Sequence, residues 1–174
     1  MMANPVTFRR YRIADYDAVA ALWTRINREL APPGMEEMFE RYIATIIDGE
    51  LKQLLDVFSE EKRNAFWVVE DGGEIVGCFG IESHGTDETE LRRMYLDKAY
   101  RGMGIAQRMI EQAQAEARAR GFSKMILSTA EVQQSALKFY RKNGFRELRS
   151  EIADAMNPKQ AGGGLKRFYF DKEL

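Results

Sequence analysis

The segment ELRRMYLDKAYRGMGIA, residues 90–106, carries the strongest structural signal in the chain. Residues 91–96, LRRMYL, are typical of a β-strand. The glycine-rich turn RGMG follows, and an apolar stripe at helical spacing then runs from Ile105 to Ala117. Gly121 stands just past this stripe, where a helix cap is expected. The segment predicts a strand, a tight turn and a helix in direct succession.

This turn has the features of a phosphate-binding site. Backbone N–H groups at a helix N-terminus lack partners, and the helix dipole favours an anion there. Gly102 and Gly104 allow close approach to the backbone, and Arg101 can add a charge-assisted contact. The spacing matches neither the dinucleotide fingerprint nor the P-loop. The alternative is a turn that needs small residues only for packing.

The rest of the chain extends this pattern into a mixed α+β domain. The hairpin signal Asp71-Gly72-Gly73 separates two predicted strands. Strands are predicted at 6–11, 66–69, 75–81, 91–96 and 125–127, from Phe145, and around 168–170. Further helices are predicted after Asp15, over 38–47, over 51–58 and over 135–142, with a flexible loop over 157–164. One domain spanning residues 1–174 is expected, with a single sheet and flanking helices.

Composition narrows the classes of partner. The 174 residues are 45% hydrophobic and carry a formal net charge of -1. This balance argues against nucleic-acid binding, which needs clustered Lys and Arg. No apolar run approaches the roughly 20 residues of a membrane span, and residues 1–7 do not resemble a secretory signal. With one cysteine, Cys78, the chain is expected to be soluble and cytoplasmic, with no membrane partner.

Two motifs resemble those of a known family, the GNAT superfamily of N-acetyltransferases. Its motif A is a strand followed by Arg/Gln-x-x-Gly-x-Gly/Ala, and here Arg101, Gly104 and Ala106 occupy those three positions. Its motif B, A-x-x-x-Tyr-x-x-x-Gly-Phe, is similar to ALKFY at 136–140 followed by Gly-Phe at 144–145. The two motifs stand in the family's order, which makes the pair far more specific than either alone.

The resemblance implies a fold and a cosubstrate. The fold is a mixed, mostly antiparallel sheet flanked by helices and splayed at the acetyl-CoA site. The pyrophosphate of acetyl-CoA is expected on the turn, and the pantetheine arm is expected to pair with the strand at 94–96 as an added strand. The cofactor-binding residues implied are Met94, Leu96, Arg101, Gly102, Met103, Gly104, Ile105 and Ala106. No metal is implied. Gln133 stands where many members carry an Asn that touches the cofactor.

The resemblance also assigns catalytic roles. Acetyl transfer needs a neutral amine, a donor to the oxyanion and a proton for the departing thiolate. Tyr140 is the candidate proton donor, carried over from motif B; the alternative is an aromatic ring that fills the core beside Phe139. The backbone N–H of Met94 is the expected oxyanion donor.

Glu90 is the candidate general base, acting directly or through water. Alternation along the strand is expected to place Glu90 on the same face as residues 92, 94 and 96. The alternatives are a carboxylate that merely pairs with Arg92, or a base role for Glu82. His84, the only histidine, lies in a polar loop and is expected at the surface. Cys78 is expected to be a buried structural thiol.

These observations predict an acyltransferase that moves acetyl from acetyl-CoA directly to the primary amine of a small molecule or amino acid. A protein N-terminal or lysine acetyltransferase is the alternative within the same class. A non-catalytic acyl-CoA-binding module is the alternative of a different class. The amine and the oligomeric state, including a homodimer, stay open.

Overall fold

A seven-stranded sheet forms the centre of the computed structural model, which describes residues 6–174. The strands are β1 Thr7–Arg10, β2 Ala65–Asp71, β3 Glu74–Ser83, β4 Glu88–Leu96, β5 Lys124–Ala130, β6 Arg146–Ala153 and β7 Leu165–Glu173. Their order is β1-β2-β3-β4-β5-β7-β6, and among these seven described strands only β4 and β5 pair in parallel. The predicted mixed, mostly antiparallel sheet is confirmed. The expected absence of a secretory signal concerns residues 1–7, of which 1–5 lie outside the described part.

Helices cover both faces of this sheet. They are α1 Tyr16–Leu30, α2 Glu36–Asp48, α3 Leu54–Val57, α4 Ile105–Ala119 and α5 Gln134–Lys142. The helix predicted over 51–58 is a 3-10 turn followed by the single turn of α3. Asp15 precedes α1 as predicted, but its carboxylate accepts from Arg9 and from the Arg12 amide rather than capping the helix. Within residues 6–174, no helix has the length and apolarity needed to cross a membrane.

Alternation along the central strands divides the core into two layers. On β2, Phe66 and Val68 pack toward α1 and α2, where Trp23 is fully buried. Trp67 and Val69 pack on the opposite face with α4 and α5. The sheet is therefore sandwiched between two pairs of helices, which is the arrangement expected when strands are apolar on both faces.

Candidate active site

The two parallel strands diverge, and a cavity opens between them. Strands β4 and β5 pair only from Glu88–Lys124 to Glu90–Ile126. Beyond these pairs β4 continues to Leu96 and β5 to Ala130 without bonding to each other. A cavity of about 100 Å³ lies in this gap and is lined by both strands. The sheet is thus splayed next to the turn at 101–104, as the resemblance implies.

A β-bulge interrupts β4 at the wall of this cavity. Phe79 of β3 lies opposite two residues, Arg93 and Met94, and Arg93 has a left-handed backbone with φ of 51°. The extra residue shifts the alternation of side chains along β4, so the residues after the bulge face the side of the sheet opposite to that expected. Met94 and Leu96 pack with the α4 layer, whereas the Arg93 guanidinium lies 4.9 Å from the ring of Trp23 in the α1 layer. The expectation that Met94 and Leu96 share a face with Glu90 and Arg92 is therefore wrong.

A buried carboxylate holds Arg93 of the bulge and its neighbour Arg92. Glu50, just after α2, forms ion pairs with Arg92 and with Arg93, the latter at 2.5 Å, and all three side chains are at most 7% exposed. Arg93 also donates to the Tyr42 hydroxyl at 3.1 Å. Arg92 forms a second ion pair, with Glu82. Glu50 was not predicted from the sequence, although two adjacent arginines in an apolar strand require nearby carboxylates.

Glu90, the candidate base, lies in the wall of the cavity and is 7% exposed. Its carboxylate accepts a hydrogen bond of 2.6 Å from Lys159 Nζ. Glu90 therefore does not pair with Arg92, whose partners are Glu50 and Glu82. Lys159 was not predicted from the sequence, because it is 69 residues away from Glu90 along the chain.

Lys159 belongs to a loop that covers one side of the cavity. Residues 159–162 line it, and backbone hydrogen bonds of 3.0 Å from Gly163 to Asp154 and from Gly164 to Ala153 close the loop. A Cβ on Gly163 would stand 2.3 Å from the sulfur of Met38, so the loop backbone packs directly on α2. The segment predicted to be a flexible loop is thus part of the cavity wall.

Tyr140 reaches the cavity from α5 on the opposite side. Its ring packs against Phe139, Phe145 and Phe170 at centroid distances of 5.6 to 6.5 Å, and the residue is 7% exposed. Its hydroxyl makes no hydrogen bond with any residue of the described chain, 6–174. Burial raises the pKa of the Tyr140 phenol well above its usual value. The side chain therefore offers a neutral O–H donor at physiological pH.

The glycine-rich turn has the backbone geometry of an anion site. Gly102 and Gly104 have φ of 76° and 79°, and a Cβ on either would meet no atom within 4 Å. Helix α4 begins at Ile105. The first amide of the helix that donates to a carbonyl of the turn is that of Arg108, which bonds the Gly104 carbonyl at 3.2 Å. Within residues 6–174, no backbone carbonyl accepts a hydrogen bond from the amides of residues 102–107. These unpaired donors fit a phosphate group.

Arg101 ties this turn to the end of β4. Its Nε donates to the Leu96 carbonyl at 3.0 Å, and its Nη1 pairs with Glu29 of α1 at 2.7 Å. The side chain is 45% exposed. Its contact with a phosphate stays a prediction, as do the cofactor contacts of the other residues of the turn and of β4.

The two remaining candidates have the surroundings that the sequence predicts. The His84 side chain is 61% exposed and lies 3.8 Å from Glu88. Cys78 is fully buried, its sulfur accepts from Trp23 Nε1 at 3.4 Å, and burial raises the pKa of the thiol to about 12. A thiol in this state is a poor nucleophile.

Arg167 of β7 is a further cavity residue that the sequence analysis missed. It lines both the cavity and an adjoining groove on the open face of β5 and β7, together with Glu90 and Lys159. Its Nε donates to Ser128 Oγ at 3.1 Å. Burial lowers the pKa of the guanidinium, which nonetheless stays charged at neutral pH. Within residues 6–174, no group of three or more His, Cys, Asp or Glu side chains is arranged to hold a metal ion.

Comparison with known proteins agrees with this geometry. The sequence profile of the acetyltransferase (GNAT) family matches residues 22–145. An uncharacterized N-acetyltransferase of Escherichia coli (strain K12), YjgM, is 31% identical over 148 residues, covering 83% of this chain and 84% of that protein. An IAA acetyltransferase of Azospirillum brasilense is 33% identical, covering 64% of this chain and 74% of that protein.

A solved structure shows the same fold. The PaiA N-acetyltransferase of Thermoplasma acidophilum, determined in complex with coenzyme A, superposes with a TM-score of 0.77. The match covers 98% of this chain and 100% of that one at 19% identity. Because the family profile covers more than half of the chain, and because both curated relatives are named as acetyltransferases, the chain belongs to the acetyltransferase (GNAT) family and is an acyltransferase.

Proposed function

We propose that the protein transfers acetyl from acetyl-CoA directly to the primary amine of a small molecule or amino acid. The observation that carries this proposal is Tyr140, a buried neutral phenol that lines the cavity between the splayed strands. A phenol in this position can protonate a departing thiolate. The family's use of acetyl-CoA supplies the thioester.

The turn and the edge of β4 fit the two halves of the cosubstrate. The amides from Gly102 to Ala106, which have no backbone acceptor among residues 6–174, fit its pyrophosphate. Beyond Glu90, β4 no longer pairs with β5, so this edge has backbone groups free to bind the amide-rich pantetheine arm. Met94 lies on this edge next to the bulge, and its N–H is our candidate donor to the oxyanion.

In this arrangement the amine nitrogen attacks the thioester carbonyl carbon, and the carbon–sulfur bond then breaks. The acceptor ammonium gives up one proton before the attack and a second to solvent as the amide forms, while the leaving thiolate gains one proton from a donor that solvent reprotonates. Tyr140 supplies the proton to sulfur, and the raised pKa of its phenol keeps that proton available at neutral pH.

Glu90 is the proposed base. Its carboxylate already binds an ammonium group, that of Lys159, at 2.6 Å. An acceptor ammonium has the same chemistry and can replace Lys159 as the partner of Glu90 before it loses its proton. Glu82 is less suited, because its carboxylate pairs with the buried Arg92.

The groove favours a small acceptor over a basic peptide. A lysine acetyltransferase that binds basic peptides needs an acidic groove. Here the charged side chains around the groove are of both signs, namely Lys124, Arg149, Lys159 and Arg167 with Glu88, Glu90 and Asp171. This mixture gives a basic peptide no net attraction.

The proposal is tested by measuring thiol release from acetyl-CoA with a panel of primary amines, comparing the parent with Tyr140→Phe. We expect the variant to bind acetyl-CoA normally and to keep its melting temperature, because the substitution removes no hydrogen bond to residues 6–174. Its kcat should fall by roughly ten- to a thousand-fold. Equal turnover by the two proteins with a good acceptor would remove Tyr140 from the reaction.

A further inference from the structure

The charged side chains around the cavity leave one cation without a carboxylate partner. Four cations line the cavity, namely Arg92, Arg93, Lys159 and Arg167. Glu50 and Glu82 neutralise the first two arginines, and Glu90 pairs with Lys159. Among residues 6–174, no carboxylate lies within ion-pair distance of Arg167.

The surroundings of Arg167 hold its side chain but do not neutralise its charge. Its Nε and Nη2 donate to the hydroxyl and the carbonyl of Ser128, at 3.1 and 3.4 Å. Glu151 lies opposite it on β6, but that carboxylate binds Arg149 and Tyr169 instead. Nη1 has no acceptor among residues 6–174.

A partly buried guanidinium without a counter-ion is costly to keep, so the position of Arg167 calls for an anion from elsewhere. The planar fork of arginine matches a carboxylate, which it can bind through two parallel hydrogen bonds. Glu90, in the same cavity, presents the opposite charge. The cavity therefore displays one group suited to an ammonium and one suited to a carboxylate.

We propose that Arg167 binds a carboxylate of the acceptor, so that the natural acceptor is a small amine that carries a carboxylate, as an amino acid does. This inference rests on the proposed acetyl transfer and specifies its substrate class. Arg167 selects the acceptor through its charge, while Glu90 receives the ammonium end. An amine without a carboxylate leaves the guanidinium unpaired and is a poorer substrate.

The test compares each acceptor with its own carboxamide, which keeps the shape and removes the charge. The acceptor pairs are alanine, leucine, phenylalanine, methionine, aspartate, β-alanine and γ-aminobutyrate, each with the matching amide. In the parent, at least one acid should exceed its amide in kcat/KM by ~10-fold or more. In Arg167→Gln, kcat/KM for that acid should fall ~30-fold or more, mostly through a higher KM, while kcat/KM for its amide changes little.

Lys166→Gln provides a matched control. Lys166 is the neighbouring cation on β7, its side chain is exposed over the ring of Phe168, and it does not line the cavity. The preference for the acid should survive this substitution. If Arg167→Gln does not fold, Arg167→Lys keeps a charge but loses the fork, and it should retain part of the preference.

Three results overturn the inference. The first is an equal loss for the acid and its amide in Arg167→Gln, which indicates a purely structural arginine. The second is a preference for the acid that persists in Arg167→Gln. The third is a peptide with an acidic second residue that surpasses every free amino acid.

Failure of the acetyl transfer itself is a separate outcome. If no amine in the panel supports thiol release, the proposed function fails. Calorimetry of the N-acetylated forms of the same amino acids, in the presence of coenzyme A, then tests Arg167 alone. Binding by the parent but not by Arg167→Gln supports the carboxylate site. Absence of binding by the parent overturns the inference.

Discussion

The ion network beneath the bulge yields a quantitative prediction for Glu50→Gln. Glu50 is the only partner of Arg93 among the carboxylates of residues 6–174, and one of two partners of Arg92. The three side chains are 7%, 7% and 5% exposed. The substitution keeps the shape of Glu50 and removes its charge, leaving the Arg93 guanidinium buried without a counter-ion.

Breaking a buried ion pair by removing one partner costs about 3–5 kcal/mol. For a domain of this size, each kcal/mol lowers the melting temperature by roughly 2–4 °C. We therefore expect Glu50→Gln to lower the melting temperature by roughly 6–20 °C. Urea unfolding followed by tryptophan fluorescence gives the free energy directly, because Trp23 lies against Arg93 and reports on this layer.

Glu40→Gln is the control, because it makes the same chemical change in an exposed pair. Glu40 and Arg28 are 49% and 60% exposed and lie 2.6 Å apart. Exposed pairs contribute little to stability, so this variant should unfold at the parent's midpoint. A Glu50→Gln variant that also unfolds at the parent's midpoint would show that the buried pairing does not stabilise the bulge.

Four further predictions concern the site itself. Gly104→Ala should strain the backbone of residue 104, which has φ of 79°, and crowd the phosphate site, so calorimetry should show acetyl-CoA affinity lowered ~10-fold or more. The control Gly34→Ala imposes the same strain at φ of 87° and should leave the affinity for acetyl-CoA unchanged. Glu90→Gln should lower kcat/KM by ~10²-fold near neutral pH, and the deficit should be smaller at higher pH, where more of the amine is already neutral. Full activity of this variant at pH 7 would assign the role of general base to another group. Burial raises the pKa of Tyr140 above its usual value near 10, so loss of the phenol proton should not reduce kcat up to pH 10. A decline of kcat in alkali that is absent in Tyr140→Phe would contradict this prediction. With a pKa of about 12, Cys78 stays a thiol at pH 8, so iodoacetamide should modify it only in urea; rapid labelling of the folded protein would refute its burial.

Local patterns predicted the parts of the site that depend on local structure. The turn at 102–104 needs two left-handed glycines before an apolar stripe, and both features are visible within twenty residues of sequence. Tyr140 was predicted from its place in motif B, a local pattern, and it lies on the buried side of the amphipathic helix α5. The strands and helices were found for the same reason.

The bulge and the cavity wall depend on tertiary pairing and were missed. Strict alternation assumes that every residue of β4 has one partner, but Phe79 of β3 faces both Arg93 and Met94. Lys159 and Arg167 reach the cavity only because a loop folds over α2 and because β7 inserts between β5 and β6. The local sequence patterns around Lys159 and Arg167 do not indicate which parts of the tertiary structure these residues contact.

The short pairing between β4 and β5 makes the sheet two antiparallel leaves joined by a narrow seam. One leaf, β1 to β4, contributes Met94 to one wall of the cavity; the other, β5 to β7, supports the wall opposite. Among residues 6–174, only the residue pairs from Glu88–Lys124 to Glu90–Ile126 join the two leaves within the sheet. The angle between the leaves, set at this seam, fixes the width of the cavity. A substitution at any seam residue other than Glu90 can therefore change that width without altering a residue that lines the cavity.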